Sequence, residues 1–244
     1  TEVLSSVPEA PTHELSSFDE YSFIENELYN ILPLGSGKQW FGEKFSNGNA
    51  RSYNFELYDA EAGIQASLFI NAAARSYAAS SFQVSGNSNN WGTLSFSSVN
   101  TNDTYGLYAY ESNKRFTFNA SDGALKVDVK YSASNSNAEA WMDYLELTYR
   151  RKLIAGSDAL FFRDLTSVGL GNVAEFSVAN AGSTTKVLNV SDPNNVKEVS
   201  RELSDNTLIF RQKSDELHEY VVFKTDGDFP KPTFVSDISN QNLH

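Results

Sequence analysis

The chain has 244 residues, and 31 acidic against 19 basic side chains give it a formal net charge of −12 at pH 7, which argues against a nucleic-acid-binding protein. It contains no cysteine, which excludes disulfides, thiolate metal sites and a cysteine nucleophile within these residues. Aromatic residues make up 13% and charged residues only 20%, a composition that favours compact β structure over disorder. No apolar run approaches the roughly 18 residues of a membrane-spanning helix, so no transmembrane segment is predicted.

Residues 1–17 are predicted to form a leader or linker, because they hold two prolines among Ser, Thr and Glu without sustained periodicity. The pattern then changes. Ser17 and Glu20 have the spacing of a helix capping box, and the apolar residues that follow lie three or four positions apart. This stretch is compatible with a short helix that ends before Pro33 or with an irregular docked arm.

Beyond Gly48, apolar and polar residues alternate, which is the pattern of half-buried β-strands. Turn clusters rich in asparagine, such as residues 86–90, separate the runs. Residues 18–154 are therefore predicted to form a β-sandwich, with a jelly roll as the specific topology. Residues 141–149 are apolar on both alternating faces, which predicts a central strand.

Residues 155–233 contain further strand-like runs, which predict a second β unit packed against the first, or the second half of one large sandwich. The predicted fold class is thus all-β. Residues 234–244 have a linker-like composition. Between the two units, Arg150, Arg151 and Lys152 form the densest basic cluster of the chain. It could pair with acidic residues of a neighbouring domain, although a solvated strand end is the simpler interpretation.

Catalytic motifs are scarce. No G-x-S-x-G nucleophile elbow occurs, and the three histidines are scattered along the chain, at His13, His218 and His244. Residues 169–174 read Gly-Leu-Gly-Asn-Val-Ala and formally fit the dinucleotide-binding fingerprint. A strand-like segment follows where that fingerprint needs a helix, so a glycine turn is the favoured interpretation.

Paired acids are candidate glycosidase residues or metal ligands. Asp143 and Glu146 are three positions apart on a predicted strand, which places them on opposite faces. Asp226 and Asp228 could offer oxygen atoms to a calcium ion, but no EF-hand spacing surrounds them, and an acidic turn is favoured. Apart from this possible calcium ion, no cofactor or metal is expected.

Aromatic residues near the asparagine-rich turns are candidate ligand contacts. Trp91, Tyr108 and Tyr110 could stack on sugar rings or meet a partner protein, and they could equally be packed side chains of ordinary strands. Arg150 and Arg151 complete the set of possible partner contacts. A free-standing carbohydrate-binding module is therefore one hypothesis, and a glycosidase with two acids from different strands is another.

Four segments, in their order and spacing, resemble the N-terminal region of gingipain-like (C25-type) cysteine peptidases, the PorU-type sortases of the type IX secretion system. They are residues 25–30 (ENELYN) running into 35–45 (GSGKQWFGEKF), 143–151 (DYLELTYRR) with 161–163 (FFR), 187–196 (VLNVSDPNNV), and 238–244 (ISNQNLH).

The resemblance implies a non-catalytic region that precedes a peptidase domain of the same protein. In that domain lie the His and Cys of the endopeptidase, so no catalytic residue is carried over to this chain. It further implies a place at the cell surface, on the outer membrane of a Gram-negative Bacteroidetes-type bacterium. The expected role is to scaffold the peptidase domain or to contact secreted cargo or other secretion-system proteins.

Overall fold

The computed structural model describes residues 2–32, 37–100, 103, 105–227, 231 and 233–237, and these residues form strands and no helix. The all-β prediction is confirmed. The strands are β1 (Val3–Leu4), β2 (His13–Leu15), β3 (Ser17–Glu25), β4 (Lys44–Ser46), β5 (Ala50–Leu57), β6 (Gln65–Arg75), β7 (Ser80–Gly86), β8 (Asn89–Phe96), β9 (Tyr110–Asn119), β10 (Gly123–Ala133), β11 (Glu139–Lys152), β12 (Leu160–Arg163), β13 (Val173–Val178), β14 (Thr185–Asn189), β15 (Lys197–Val199), β16 (Glu202–Ser204), β17 (Thr207–Lys213) and β18 (Glu219–Lys224). Within the described part of the chain, nothing has the length and hydrophobicity of a bilayer-crossing helix.

The first sandwich packs a sheet in the order β3-β11-β6-β9 against a sheet in the order β5-β10-β7-β8, and β4 extends the first sheet by pairing with β11. All of its strand pairs are antiparallel. Alternate residues of the long strands, such as β6 and β10, point into one continuous core, as the period of two in the sequence requires. The predicted central strand is β11, which lies between β3 and β6. A sandwich is confirmed here, while the jelly-roll topology stays a prediction.

The second sandwich packs a sheet in the order β1-β15-β14-β18-β12 against a sheet in the order β16-β17-β13-β2. Its core is a cluster of aromatic rings, in which Phe162 contacts Phe176 at 5.4 Å and Tyr220 at 5.3 Å between centroids. Such edge and stacked ring pairs contribute beyond the apolar area that they bury.

The interpretation of residues 1–17 as a leader or linker is wrong for the described part of that segment. β1 pairs in parallel with β15, and β2 pairs in parallel with β13. Leu4 and Leu15 pack against the second core. A strand of two or three residues is too short to show a period of two, which is why periodicity did not predict β1 and β2.

The helix considered between Ser17 and Pro33 is also wrong, because residues 17–25 form β3. Apolar residues three positions apart, such as Phe18, Tyr21 and Ile24, also occur in a strand when both of its faces carry apolar side chains. Pairing with β11 over nine residues decides the conformation, since main-chain hydrogen bonds to a long neighbour outweigh a weak helical pattern. Pro33 itself lies outside the described residues.

Candidate functional site

Trp91, a predicted ligand contact, lies in β8 and covers one end of the first core. Its indole stacks on Phe118, with centroids 4.5 Å apart and planes 15° apart. A Cβ on Gly86 would be 1.9 Å from the indole, so only glycine fits at that position. The ring is therefore largely used in packing. It also borders a polar cavity of about 380 Å³, whose lining includes Asn87, Asn89 and Asn119.

Tyr108 and Tyr110 lie elsewhere. The guanidinium of Arg75 lies 4.2 Å from the centre of the Tyr108 ring and donates to the Tyr108 carbonyl oxygen at 2.8 Å. Tyr108 packs on a small cluster that includes Trp141, and it lines a different cavity from Trp91. Tyr110 begins β9 opposite Ala74 and is half-buried. The structure thus does not bring the three predicted rings to one cavity.

Arg150 lies at the junction of the two sandwiches. Its Nη1 is 2.6 Å from Oδ1 of Asp164 in the second sandwich and 3.2 Å from Oδ1 of Asp19 in β3. Its Nη2 donates to the carbonyl oxygen of Ser17 at 2.6 Å. Only 14% of the Arg150 side chain and none of the Asp164 side chain is exposed. The interpretation of this cluster as a solvated strand end is therefore wrong for Arg150, which pairs with an acid of the neighbouring unit.

The electrostatics of this junction favour the charged pair. Burial by itself would raise the pKa of Asp164, but hydrogen bonds from Arg150, Ser167 and Thr166 outweigh it and hold that pKa below its usual value. Burial likewise opposes the charge of Arg150, yet Asp164 and Asp19 raise the pKa of the guanidinium. Both groups stay ionised at neutral pH, which is what a buried ion pair requires to stabilise the fold.

Arg151 points to the other side of β11. Its guanidinium is 2.8 Å from Oε2 of Glu20 and 3.6 Å from Oδ2 of Asp59. The ring of Tyr58, which is exposed, lies 5.7 Å away. Its Nε is buried without a hydrogen-bond partner. Arg151 thus borders a surface cavity and forms ion pairs with two acids, Glu20 and Asp59, that line the same cavity.

Sequence reasoning did not find a strip of rings on the outer face of the first sandwich, which we call the aromatic strip: Tyr21, Phe23, Phe69 and Tyr144. Phe23 and Phe69 pair with the same residue of β11, Glu146, from either side. Ring centroids are 6.1 Å apart for Tyr21 and Phe23, 5.2 Å for Phe23 and Tyr144, and 5.9 Å for Tyr144 and Phe69. The strip therefore crosses three neighbouring strands without a break.

The aromatic strip is open to solvent and flanked by charges. Tyr21 is 45% exposed and Phe23 41% exposed. The guanidinium of Arg115 lies 5.3 Å from the Phe69 ring, a cation–π distance. Burial, and then the charges of Asp143 and Glu146, raise the pKa of Tyr144, so its hydroxyl stays neutral. A contiguous, partly exposed apolar surface of this kind indicates a contact surface.

At Tyr21 the strip meets a groove between the two sandwiches, which we call the junction groove. It lies between β3 and β12, and Phe161 of β12 is 66% exposed at its rim. A cavity of about 270 Å³ there is lined by apolar rings and by the charged residues Asp19, Glu20, Arg163 and Glu219. A second cavity of about 710 Å³ shares Glu20 and Phe161 with it and is bordered by Arg151.

The arrangement of the two sandwiches is similar to that in a solved structure. A crystal structure of dimeric latent PorU from Porphyromonas gingivalis superposes on 91% of the chain with a TM-score of 0.76, at 18% identity. The chain has a PorU-like fold. It spans 22% of the length of that PorU chain. No family profile matches the sequence, and no curated protein does.

Two carbohydrate-related structures overlap far less well than PorU. One is a CBM36-1 domain of a multidomain xylanase from the hindgut metagenome of Trinervitermes trinervoides, which is 14% identical and covers 52% of this chain and 96% of its own. The other is a cycloisomaltooligosaccharide glucanotransferase from Paenibacillus, which is 11% identical and covers 85% of this chain and 44% of its own. Their TM-scores are 0.34 and 0.32.

Of the remaining candidates in this PorU-like region, Ser191 and His218 lie beside Glu219, which lines the junction groove. Ser191 Oγ is 3.4 Å from Nδ1 of the half-buried His218, but that hydroxyl oxygen also accepts from the Glu219 N–H at 2.9 Å, which suits a turn better than a nucleophile. No group of three or more potential metal-ligating side chains occurs among the residues described here. Asp226 follows β18, and Asp228 lies outside the described residues, as do residues 238–244 of the resemblance and Ser36 and Gly35.

Asp143 departs from its predicted position. β11 carries a bulge between Met142 and Tyr144, which breaks the strict alternation on which the opposite-face prediction relied. The carboxylate instead accepts from Asn71 Nδ2 at 2.7 Å, on the same outer face as Tyr144. Burial, the largest effect, raises the pKa of Asp143.

Proposed function

We propose that this chain is the non-catalytic, β-rich N-terminal region of a cell-surface gingipain-like cysteine peptidase, a type IX secretion sortase. In that protein it would scaffold the peptidase domain or contact secreted cargo at the outer membrane. The observation that carries the proposal is the fold: two sandwiches in a PorU-like arrangement over 91% of this chain, equal to 22% of the PorU chain.

A scaffold needs a fixed shape, and the junction supplies one. The chain passes between the sandwiches twice, from β2 to β3 and from β11 to β12. The two passages bond each other, since Leu153 N–H donates to the Ser16 carbonyl oxygen at 2.8 Å. The Arg150 ion pairs add to this. Together with the exposed aromatic strip, these features suit a rigid module that presents one face to a neighbouring domain.

The first test is the gene itself. Its reading frame past His244 should encode a domain with a His and Cys pair, and the whole protein should lose peptide hydrolysis when that Cys is replaced by Ala. The 244-residue chain alone should not hydrolyse peptides. A frame without such a domain, or hydrolysis by the purified chain that resists thiol reagents, would refute the proposal.

The scaffold role has its own test in the whole protein. Phe23→Ala with Tyr144→Ala removes half of the aromatic strip and should lower the melting temperature of the peptidase domain or its activity. Tyr77→Ala is the matched control, because Tyr77 is 55% exposed and lies outside the strip. Equal behaviour of strip and control variants would show that the strip does not support the peptidase.

A carbohydrate-binding module is the second candidate. The cavity beside Trp91 supports it, because an indole next to several asparagine residues combines a flat apolar edge with amide hydrogen bonds. Packing of the indole on Phe118 weighs against it. A glycan array is the test, with Asn119→Ala as the cavity variant, since Trp91→Ala would also disturb the core. No binding on the array would end this candidate.

A further inference from the structure

β3 is an open strand edge. It pairs with β11 over nine residues without a register shift, and its other side has no strand partner among the described residues. Such an edge leaves alternate N–H and C=O groups unpaired and can receive another strand. Two of these groups already have substitute partners at this edge. The Tyr21 N–H donates to Oε1 of Glu20 at 3.1 Å, and the Ser17 carbonyl oxygen accepts from Arg150 Nη2 at 2.6 Å, which leaves the stretch from Asp19 onward for an added strand.

The other edges in the described residues are less suited to receive a strand. β1, β2 and β16 have only two or three residues. β12 has only four residues, and β8 contains a register irregularity opposite β7. β5 is a regular edge of eight residues, but Arg51 Nη2 donates from it to the carbonyl oxygen of Lys44 in β4 at 2.8 Å and so links the two sheets there. β9 is long, but Lys114 reaches from it to the carbonyl oxygen of Thr93 in β8 and so links the two sheets. Edges are commonly protected by charged residues, above all lysine, and by proline or bulges. β3 has no lysine, proline or bulge, and its only charges are the acids Asp19, Glu20 and Glu25, which would repel an acidic strand but not a basic one.

The junction groove runs along the open side of β3. Its rings belong to both sandwiches, with Phe18 and Phe162 in contact at 5.7 Å between centroids beneath the more exposed Tyr21 and Phe161. β12 on the far side is also an edge strand, since among the described residues it pairs only with β18. A segment lying on β3 would therefore place every second side chain against apolar rings.

The charges around the junction groove indicate which kind of strand could bind there. Asp19, Glu20 and Glu219 line the groove against the single cation Arg163, a difference of −2. Asp59 and Asp164 nearby are balanced by Arg150 and Arg151, so the wider surroundings keep the same −2. The exposed Glu25 ends the strand. An acidic edge repels another acidic chain, including a second copy of this one at −12, and attracts a basic segment.

We propose that β3 receives an extended, cationic segment of another protein by strand addition. Apolar side chains of that segment occupy the junction groove beside Tyr21 and Phe161, and its Lys or Arg side chains, on the opposite face of the segment, lie beside Glu20. This inference is independent of the peptidase assignment, because it depends only on the edge, the groove and their charge.

The test uses the 244-residue chain and three labelled nine-residue peptides. The first alternates valine with lysine, the second alternates valine with glutamate, and the third is the first with alternate main-chain amides methylated. The first peptide should bind and slow amide hydrogen exchange in β3 but not in β8 or β9. The second and third should bind at least tenfold more weakly, and binding of the first should weaken as salt is added.

Two variants locate the site. Phe161→Lys places a cation at the groove rim and should weaken binding of the valine–lysine peptide at least tenfold. Leu170→Lys, at a residue that is 96% exposed outside the groove, should leave it unchanged. Phe161 is exposed, so loss of folding is not expected, and the exchange pattern of the free variant checks this.

Several outcomes would overturn the proposal. They are absence of binding at millimolar peptide, equal binding of the methylated peptide, or protection at a different strand. A dimer of the chain that Phe161→Lys dissociates would assign the groove to a second copy. Protection of β3 in the longer protein before any peptide is added would assign it to the protein's own chain.

Discussion

The two sandwiches differ in how the chain supplies their strands. The first is made from one uninterrupted stretch, β3 to β11, and every pair in it is antiparallel. The second combines β12 to β18 with β1 and β2 from the other end of the chain, so that Val3 pairs with Glu198 and His13 with Ala174. Both of these distant pairings are parallel.

The first sandwich is therefore an insertion between two parts of the second. An insertion must leave and re-enter its host at neighbouring points, and here the entry at Ser16 is bonded to the exit at Leu153. Local antiparallel pairing lets the first sandwich form from contiguous residues, whereas the second must close a long loop before its sheets are complete. The second sandwich should thus depend more strongly on the rest of the chain.

Deletion of residues 2–16 is the largest perturbation of this difference. It removes β1 and β2 and exposes the partners that they cover, so the second sandwich should lose most of its amide protection while the first keeps it. Hydrogen exchange of β13 and β15 against β6 and β10 measures the effect. Val3→Ala is the control, because it retains the main chain of β1 and should stay within about 0.5 kcal/mol of the parent. Unchanged protection of β13 and β15 in the deletion would contradict this dependence.

Removal of a core ring from each sandwich is the next largest change. Phe162→Ala and Phe82→Ala should each lower the free energy of unfolding by about 3–5 kcal/mol, because both rings are buried in aromatic clusters. Loss of protection should stay within the sandwich of the substituted ring. Phe161→Ala, on the same strand as Phe162 but exposed, should have little effect. If Phe82→Ala loosens both sandwiches equally, the two units unfold as one.

The junction itself is tested by Asp164→Asn. The pKa of Asp164 is held below its usual value, so its contribution is present above about pH 4 and is lost as the pH falls through the lowered pKa. The variant should cost about 3 kcal/mol at neutral pH, since it leaves Arg150 without its buried partner, and the cost should shrink in acid. Glu219→Gln, in the exposed pair with Arg163, is the control and should cost less than about 1 kcal/mol at any pH. A cost that does not change with pH would exclude the ion pair as its source.

The sequence predicted the strands well and the pairing of the N-terminal residues not at all. Period two is visible in long runs such as β6 and β10, where each inward residue contributes to the pattern. β1 and β2 carry no such pattern because they are short, and what fixes them is pairing with strands more than 150 residues away. Information of this kind is not local, so composition and periodicity cannot supply it.

The candidate site shows the same limit. Trp91 was predicted as a ligand contact because it lies near an asparagine-rich turn, but most of its ring packs on Phe118. Tyr21 and Phe23 lay in a segment predicted as a short helix or an irregular arm, and only the register of β3 against β11 brings them together with Tyr144. One signal was available: Tyr144 lies on the second apolar face of the strand predicted to be central, and an apolar outer face needs a partner. The Arg150 ion pair was foreseen only as an alternative, since the sequence does not show that Asp164 is buried beside it.

The smallest expected effect concerns the bulge in β11. Burial raises the pKa of Asp143, the nearby Glu111 and Glu27 raise it further, and bonds from Asn71 and Gln39 partly oppose the change. A carboxyl group with a raised pKa contributes its stability below the unfolded value and loses it as the pH rises, so the ionised group is unfavourable at neutral pH. Asp143→Asn keeps the side-chain volume and an oxygen that can accept from Asn71, and it should stabilise the first sandwich by roughly 0.5 kcal/mol at pH 7 and by nothing at pH 3.

Asp128→Asn is the matched control of opposite sign, because hydrogen bonds from Ser52 and Lys126 lower the pKa of Asp128. Melting curves of the two variants across this pH range should therefore diverge from the parent in opposite directions. Parallel curves would mean that the bulge, and not the charge, determines the environment of Asp143.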